Sequence, residues 1–114
     1  MNITIEGNEA AAVTFILEGR LDGSTSQHVE EAYLGQLETG AARFIFDLGQ
    51  LDYVSSAGLR VLLLAAKKTR AAGGKIALFG LNQSVKEVFE ISGFQSIFAL
   101  FATGDEAKSF VMAP

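Results

Sequence analysis

The sequence predicts a mixed α/β fold, a mostly parallel β-sheet flanked by helices in the order ββαβαβαβα. Two observations lead to it. Short β-rich apolar segments alternate with segments whose apolar residues recur every three to four positions. Glycines or polar helix-capping residues separate these segments. This alternation is typical of parallel strands joined by helical crossovers. The chain has 114 residues, 49% of them hydrophobic, and no proline before Pro114, so we expect residues 1–114 to form one domain.

Two strands are predicted at the start of the chain. Ile3 and Ile5 alternate with polar residues, as on a strand with one wet face. The β-rich run from Val13 to Leu21 predicts the second strand. Between them, Gly7-Asn8-Glu9 is typical of a hairpin turn.

A helix and a buried strand come next. Ser24 and Gln27 fit a capping box, so we expect a helix to begin there and to end at Gly40. The continuous apolar run from Arg43 to Leu48 predicts a buried parallel strand. The apolar residues that repeat at helical spacing between them are Val29, Tyr33 and Leu37.

The second half predicts three helices and two strands. Asn82 is a good helix cap, and Thr103 with Glu106 fits a capping box. The predicted elements are a helix over 56–72, a strand over 75–80, a helix from Asn82 to Gly93, a strand over 95–100 and a helix from Thr103.

Composition excludes several classes of function. The net charge of −4 argues against a nucleic-acid partner, which requires a basic face. Without cysteine there is no disulfide and no thiol chemistry, and the one histidine, His28, cannot form a metal cluster alone. The N-terminus carries no signal peptide, and the apolar run Val61–Ala66 is too short to insert in a membrane. We therefore expect a cytoplasmic protein without a metal or cofactor.

The stretch from Phe44 to Arg60 carries the most information on function. An apolar strand ends in an acidic loop, which delivers Ser55 and Ser56 to the start of a long helix. Helix N-termini have free N–H groups and the positive end of the dipole. A hydroxyl placed there is either a structural cap or a site that phosphorylation can charge. The residues themselves leave both interpretations open.

Two other motifs in the chain have weaker functional interpretations. Asp47 and Asp52 could be paired carboxylates for acid–base chemistry, but ordinary loop hydrogen bonding is the simpler role. Gly73-Gly74-Lys75 lacks the flanking residues of a phosphate-binding loop.

The helix after Ser56 is apolar on almost every side of its first half. This pattern is typical of a helix that packs in a groove between neighbouring elements and of one whose outer side is a docking surface, and the two interpretations are compatible.

Several blocks in the same order resemble the STAS domain family, in particular the bacterial anti-sigma factor antagonists. They are Gly19-Arg20-Leu21-Asp22, Asp47-Leu48 and Ser55-Ser56-Ala57-Gly58-Leu59, followed by 74–78 and 85–94. The resemblance covers essentially the whole chain and implies a STAS-like fold.

In that family the phosphorylated serine lies two residues before the motif glycine, which is the position of Ser56. The resemblance implies an anti-sigma factor serine kinase and a PP2C-type phosphatase as partners. The unphosphorylated chain would bind the kinase and release a sigma factor, and it would not itself be an enzyme. Many phosphorylated members have Asp immediately before the acceptor, where this chain has Ser55. Many also have Ser or Thr immediately after it, where this chain has Ala57. The first difference leaves Ser55 as the alternative acceptor.

We define the loop cluster as the residues expected to surround the acceptor and contact the partner: Asp22, Ser24, Asp52, Tyr53, Ser55, Ser56, Ala57, Gly58 and Leu59. Two alternative functions remain open at this stage. One is a STAS scaffold subunit of a transporter or signalling complex, in which Ser56 is only a cap. The other is a small nucleotide-binding module at the same cluster, since a helix N-terminus can hold a phosphate.

Overall fold

The computed structural model describes residues 1–7 and 12–114. Its order of strands and helices is the predicted ββαβαβαβα. The elements are β1 (Asn2–Glu6), β2 (Val13–Leu21), α1 (Ser26–Glu38), β3 (Arg43–Val54), α2 (Ser56–Ala71), β4 (Lys75–Phe79), α3 (Gln83–Ser92), a 3₁₀ turn (Phe94–Ser96), β5 (Ala99–Phe101) and α4 (Gly104–Met112).

The five strands form one sheet in sequence order, β1-β2-β3-β4-β5. β1 runs antiparallel to β2, and every other neighbouring pair is parallel. The antiparallel pairing, with Glu6 opposite Thr14, agrees with the predicted hairpin. Asn8 and Glu9 of the predicted turn lie outside the described residues.

Side chains that alternate along the central strands bury the two faces of the sheet under different helices. Phe44 and Phe46 of β3 lie in the larger core, with residues of α1, α2 and α3. Ile45, between them, lies in a smaller core with Ala107 and Val111 of α4. This is the two-residue period expected of a strand buried on both faces. Three helices therefore cover one face, and α4 covers the other.

The start of α1 differs from the sequence prediction. Its N-cap is Thr25, whose side chain makes no cap hydrogen bond. The Ser24 hydroxyl donates to Asp22 Oδ1 at 2.7 Å, and the Gln27 amide donates to Glu31 at 3.0 Å. The predicted capping box of Ser24 and Gln27 is wrong because both side chains are engaged elsewhere.

The third strand is also longer than predicted. β3 does not end at Leu48 but continues to Val54, paired with β2 through two register shifts. Its buried residues Leu48, Leu51 and Val54 lie three apart, which the register irregularities accommodate. The segment predicted as an acidic loop is therefore strand.

The predicted strand at 95–100 is partly wrong. Phe94–Ser96 form a 3₁₀ turn, and only Ala99–Phe101 join the sheet. The helix caps nearby are confirmed. Asn82 Oδ1 accepts the Val85 N–H at 2.8 Å, and Thr103 with Glu106 forms the capping box of α4.

Candidate functional site

The two serines at the start of α2 have different roles. Ser55 is the N-cap, and its Oγ accepts the backbone N–H of Gly58 at 3.3 Å. Ser56 is the first residue of the helix and is exposed. Because Ser55 supplies the cap, the Ser56 hydroxyl is left out of it and faces solvent.

The electrostatics of this helix start favour negative charge. A helix N-terminus carries a partial positive charge equivalent to about +0.5. No acidic residue lies in the first turn of α2 to offset it. An anionic group on Ser56 would therefore meet free N–H groups and the positive end of the dipole, without a carboxylate in that turn to repel it.

A hydrogen bond to β2 fixes the position of the helix start. The backbone N–H of Ser55 donates to the carbonyl oxygen of Leu21 at 2.9 Å. In the sheet, Leu21 is the register partner of Val54, the last residue of β3. Asp22 follows Leu21 directly, so the turn after β2 lies beside the start of α2.

Asp22 organises that turn. Its Oδ1 accepts the Ser24 hydroxyl at 2.7 Å and the Ser24 backbone N–H at 2.9 Å. The Asp22 N–H donates to the Thr25 hydroxyl at 2.9 Å, which donates to the Arg20 carbonyl at 2.8 Å. The Ser24 hydroxyl is the main cause that holds the pKa of the Asp22 carboxyl below its usual value of 3.8. The turn is thus held with Asp22 ionised near neutral pH.

Arg20 belongs to this site, although it is not among the residues of the loop cluster. Its guanidinium carbon lies 4.1 Å from the ring centroid of Tyr53, and its Nε lies 3.7 Å from Asp22 Oδ2. Arg20 and Tyr53 are register partners on β2 and β3, and Arg20 precedes Asp22 by two positions. Strand alternation could have placed Arg20 and Asp22 on one side, but the pairing with Tyr53 required the register of the sheet.

The remaining residues of the loop cluster differ in exposure. Asp52 is exposed on β3, and Ala57 is half-buried. Gly58 and Leu59 are buried, with Leu59 in the larger core, so they lie beneath the surface that the other residues form. Asp47 Oδ1 accepts the Gly49 N–H at 2.9 Å, which is the local hydrogen bonding expected of an aspartate near a turn.

A cleft of about 540 Å³ lies at the ends of β4 and β5 and includes no residue of the loop cluster. Its lining consists of Gly80, Leu81, Lys86, Leu100, Phe101 and Ala102. Within residues 1–7 and 12–114, no three His, Asp or Glu side chains come together as a metal site would require. In the same part of the chain, no helix has the length and hydropathy to cross a bilayer.

Comparison with known proteins agrees with this architecture. BtrV of Bordetella bronchiseptica is 48% identical over 93 residues, which cover 82% of this chain and 80% of BtrV. The anti-sigma-B factor antagonist of Listeria monocytogenes is 34% identical over 100 residues, which cover 85% of this chain and 87% of that protein.

Solved structures show the same fold. The anti-sigma factor antagonist SpoIIAA in its unphosphorylated form superposes with a TM-score of 0.77 at 20% identity, over 99% of this chain and all of SpoIIAA. The sequence profile of the STAS domain matches residues 2–107. The matched blocks include the strand ends and the helix start described above, and this chain belongs to the STAS domain family.

Proposed function

We propose that this chain is an anti-sigma factor antagonist whose binding state is set by phosphorylation of Ser56. The observation that carries the proposal is the division of roles at α2, where Ser55 caps the helix and Ser56 is exposed at its first position. Two related proteins support the class of function, since one is named an anti-sigma-B factor antagonist and another, SpoIIAA, an anti-sigma factor antagonist.

In the proposed cycle the chain is a substrate, not an enzyme. An anti-sigma factor serine kinase transfers the γ-phosphoryl group of ATP to Ser56 Oγ, which releases ADP and the hydroxyl proton. A PP2C-type phosphatase hydrolyses the ester with water and restores the hydroxyl. The unphosphorylated chain binds the kinase and frees a sigma factor. Since ATP supplies the phosphate, we expect the cycle to run in the cytoplasm.

The geometry explains why the switch would change binding but not folding. A phosphoryl group adds about −1.5 to −2 charges at pH 7. At Ser56 these charges meet the positive end of α2, where the helix tolerates them. A partner surface that fits a neutral hydroxyl offers these charges no counter-charge of its own, so burying them there is strongly unfavourable. The accessible part of the loop cluster, with the exposed Asp52 and Tyr53 and the half-buried Asp22, would form the contact.

Phosphorylation in vitro tests the proposal. The chain is incubated with the cognate anti-sigma factor kinase and Mg-ATP, and the modified peptide is mapped by mass spectrometry. One phosphate on Ser56, lost in Ser56→Ala and kept in Ser55→Ala, is the expected result.

Other outcomes assign other functions. Phosphate on Ser55 would show that the absence of Asp before Ser56 moves the acceptor. No phosphate, with no binding to the kinase, would favour the scaffold alternative. Heat released on titration with GTP or ATP in a calorimeter would favour a nucleotide-binding module.

A further inference from the structure

The outward side of α2 is a continuous surface that begins at Ser56. Arg60, Leu63, Leu64 and Lys67 follow Ser56 at intervals of four, seven, eight and eleven residues, which places them on one helix face. Leu63 and Leu64 are half-buried, whereas Arg60 and Lys67 are exposed. With Lys68 these residues line a shallow groove of about 340 Å³, which we call the α2 groove.

The charge of α2 is opposite to that of the whole chain. The chain has 13 acidic and 9 basic residues, yet α2 carries four of the basic residues and none of the acidic ones. Within the described ranges, Arg20 with Asp22 is the one ion pair within 4.0 Å. The cations of the α2 groove therefore have no carboxylate partner among those residues, and their field favours an acidic ligand.

We infer that the α2 groove docks an acidic amphipathic segment of the anti-sigma partner. An apolar side chain of that segment would cover Leu63 and Leu64, and its carboxylates would face Arg60, Lys67 and Lys68. The inference rests on the proposed function and adds the chemistry of the partner. Charge complementarity at the rim of an interface accelerates association and selects partners.

The same geometry connects the α2 groove to the switch. Arg60 lies one helical turn from Ser56, about 6 Å along the axis, and helical side chains tilt toward the N-terminus. A phosphate on Ser56 would thus be close enough to pair with Arg60 and withdraw it from the partner. Lys67 lies about 16 Å along the axis, beyond the screening length of about 8 Å at physiological salt. Phosphorylation would therefore neutralise one end of the groove and leave the other.

The shape of the groove argues for a protein ligand over a lipid surface. Peripheral membrane binding inserts exposed apolar side chains about 5–10 Å below the headgroups. Here the two leucines are half-buried between longer cationic side chains and do not protrude. A recessed apolar strip with charged rims fits the face of a partner helix.

Matched charge reversals test the inference. Lys67→Glu changes the α2 groove, and Lys108→Glu makes the same change at an exposed position of α4, on the opposite side of the sheet. Association with the anti-sigma kinase is measured by surface plasmon resonance at low and high salt. We expect Lys67→Glu to weaken binding about fivefold at low salt and to flatten its salt dependence, because a favourable rim charge becomes a repulsive one. Lys108→Glu should bind like the wild type.

The outcomes separate the inference from the proposed function. If the wild type neither binds the kinase nor becomes phosphorylated, the proposed function fails, and the docking inference fails with it. If the wild type binds and Lys67→Glu binds equally well, only the inference is overturned. Binding of the wild type to phosphatidylglycerol vesicles, lost in Lys67→Glu, would reassign the groove to membranes. Self-association lost in Lys67→Glu, with kinase binding intact, would reassign it to a second copy of the chain.

Discussion

Gly58 and Leu21 are packed so closely that a methyl group on Gly58 would lie 2.7 Å from the Leu21 carbonyl oxygen. The same oxygen accepts the Ser55 N–H at 2.9 Å. Two contacts from the first turn of α2 therefore converge on one carbonyl group at the end of β2. The position of Ser56 relative to Asp22 depends on this contact, since Ser56 follows Ser55 and Asp22 follows Leu21.

Gly58→Ala is expected to destabilise the fold although alanine is the better helix former. The added methyl would also lie 2.8 Å from Leu21 Cγ and 2.9 Å from Val54 Cγ2. Overpacking of this kind costs about 1–3 kcal/mol, which exceeds a helix-propensity gain of at most about 1 kcal/mol. Urea unfolding gives the free energy directly. Gly35→Ala in α1, where nothing lies within 4 Å, is the control and should be neutral or stabilising.

Alanine substitutions at the two serines should separate their roles. Ser55→Ala removes the N-cap and should lower the free energy of unfolding by about 0.5–2 kcal/mol. The 3.3 Å length of the cap bond favours the lower part of that range. Ser56→Ala should leave the Tm nearly unchanged. A larger loss of stability at Ser56 than at Ser55 in thermal melting would contradict the assignment of the cap.

Ser56→Asp is expected to abolish binding to the anti-sigma kinase while the fold is preserved. A charge buried in an interface where the bound protein offers no counter-charge costs on the order of 2–5 kcal/mol, or roughly 30- to several-thousand-fold in affinity. Ser56→Ala should bind like the unmodified chain and resist inactivation. A pull-down with both variants measures this. Equal binding by Ser56→Asp would show that charge at this position is not the switch.

The stability of Ser56→Asp should depend on Arg60. A carboxylate at the first position of α2 gains about 0.3–1 kcal/mol from the dipole, and an i,i+4 pair with Arg60 adds about 0.2–0.5 kcal/mol. Arg60→Gln should remove the second part of the gain, and Lys67→Gln should not. Thermal melting of the double variants gives the comparison. An equal gain in both backgrounds would show that Arg60 does not interact with the charge.

Tyr33 should make the free energy of unfolding depend on pH in the alkaline range. Its buried hydroxyl donates to the Ala65 carbonyl at 3.0 Å and lies 2.7 Å from the Thr69 hydroxyl. Burial raises the pKa of Tyr33 above 10.0, and the Thr69 hydroxyl opposes part of that rise. The contribution of the protonated phenol to the free energy of unfolding is therefore fully present below the unfolded-state pKa. This contribution is lost as the pH rises through the folded-state pKa.

Tyr33→Phe provides the test. Near neutral pH it should cost about 1–3 kcal/mol, because Thr69 is left with an unsatisfied buried hydroxyl. As the pH rises past 10.0, the free energy of unfolding of the wild type should fall, whereas that of Tyr33→Phe should not fall for this reason. The difference in free energy of unfolding between the two chains should therefore become smaller. A difference that stays constant in urea unfolding across this range would contradict the role of Tyr33.

Local patterns were sufficient to predict most elements. The apolar stripe of α1, the Asn82 cap and the Thr103 capping box depend on residues within one or two turns, and the structure contains all three. The capping box at Ser24 failed because α1 begins at Ser26 with Thr25 as its N-cap, so Ser24 lies in the preceding turn, where its hydroxyl donates to Asp22. The turn before the helix sets which residue becomes the N-cap, and a spacing pattern does not show that turn.

The longer β3 has a long-range cause, and the shorter β5 has a local one. The extension of β3 to Val54 depends on its register with Gly19, Arg20 and Leu21, and the Arg20–Tyr53 contact depends on the same register. β5 shortens because Phe94–Ser96 close a 3₁₀ turn before the chain joins β4. The exposure of Ser56 agrees with its expected place at a helix start. Its phosphorylation, and the independence of residues 1–114 as one domain, stay predictions.

Because Ser55 holds the helix and Ser56 does not, phosphorylation would remove no contact of the fold, and the dipole and Arg60 would change the folding free energy by only about 1 kcal/mol. Both the modified and the unmodified chain would then remain folded. Their ratio in a cell would be fixed by two enzyme rates alone, that of the kinase and that of the phosphatase. A small change in either rate would directly change the number of free sigma factors. The fraction of phosphorylated chains would therefore report the balance between the two activities.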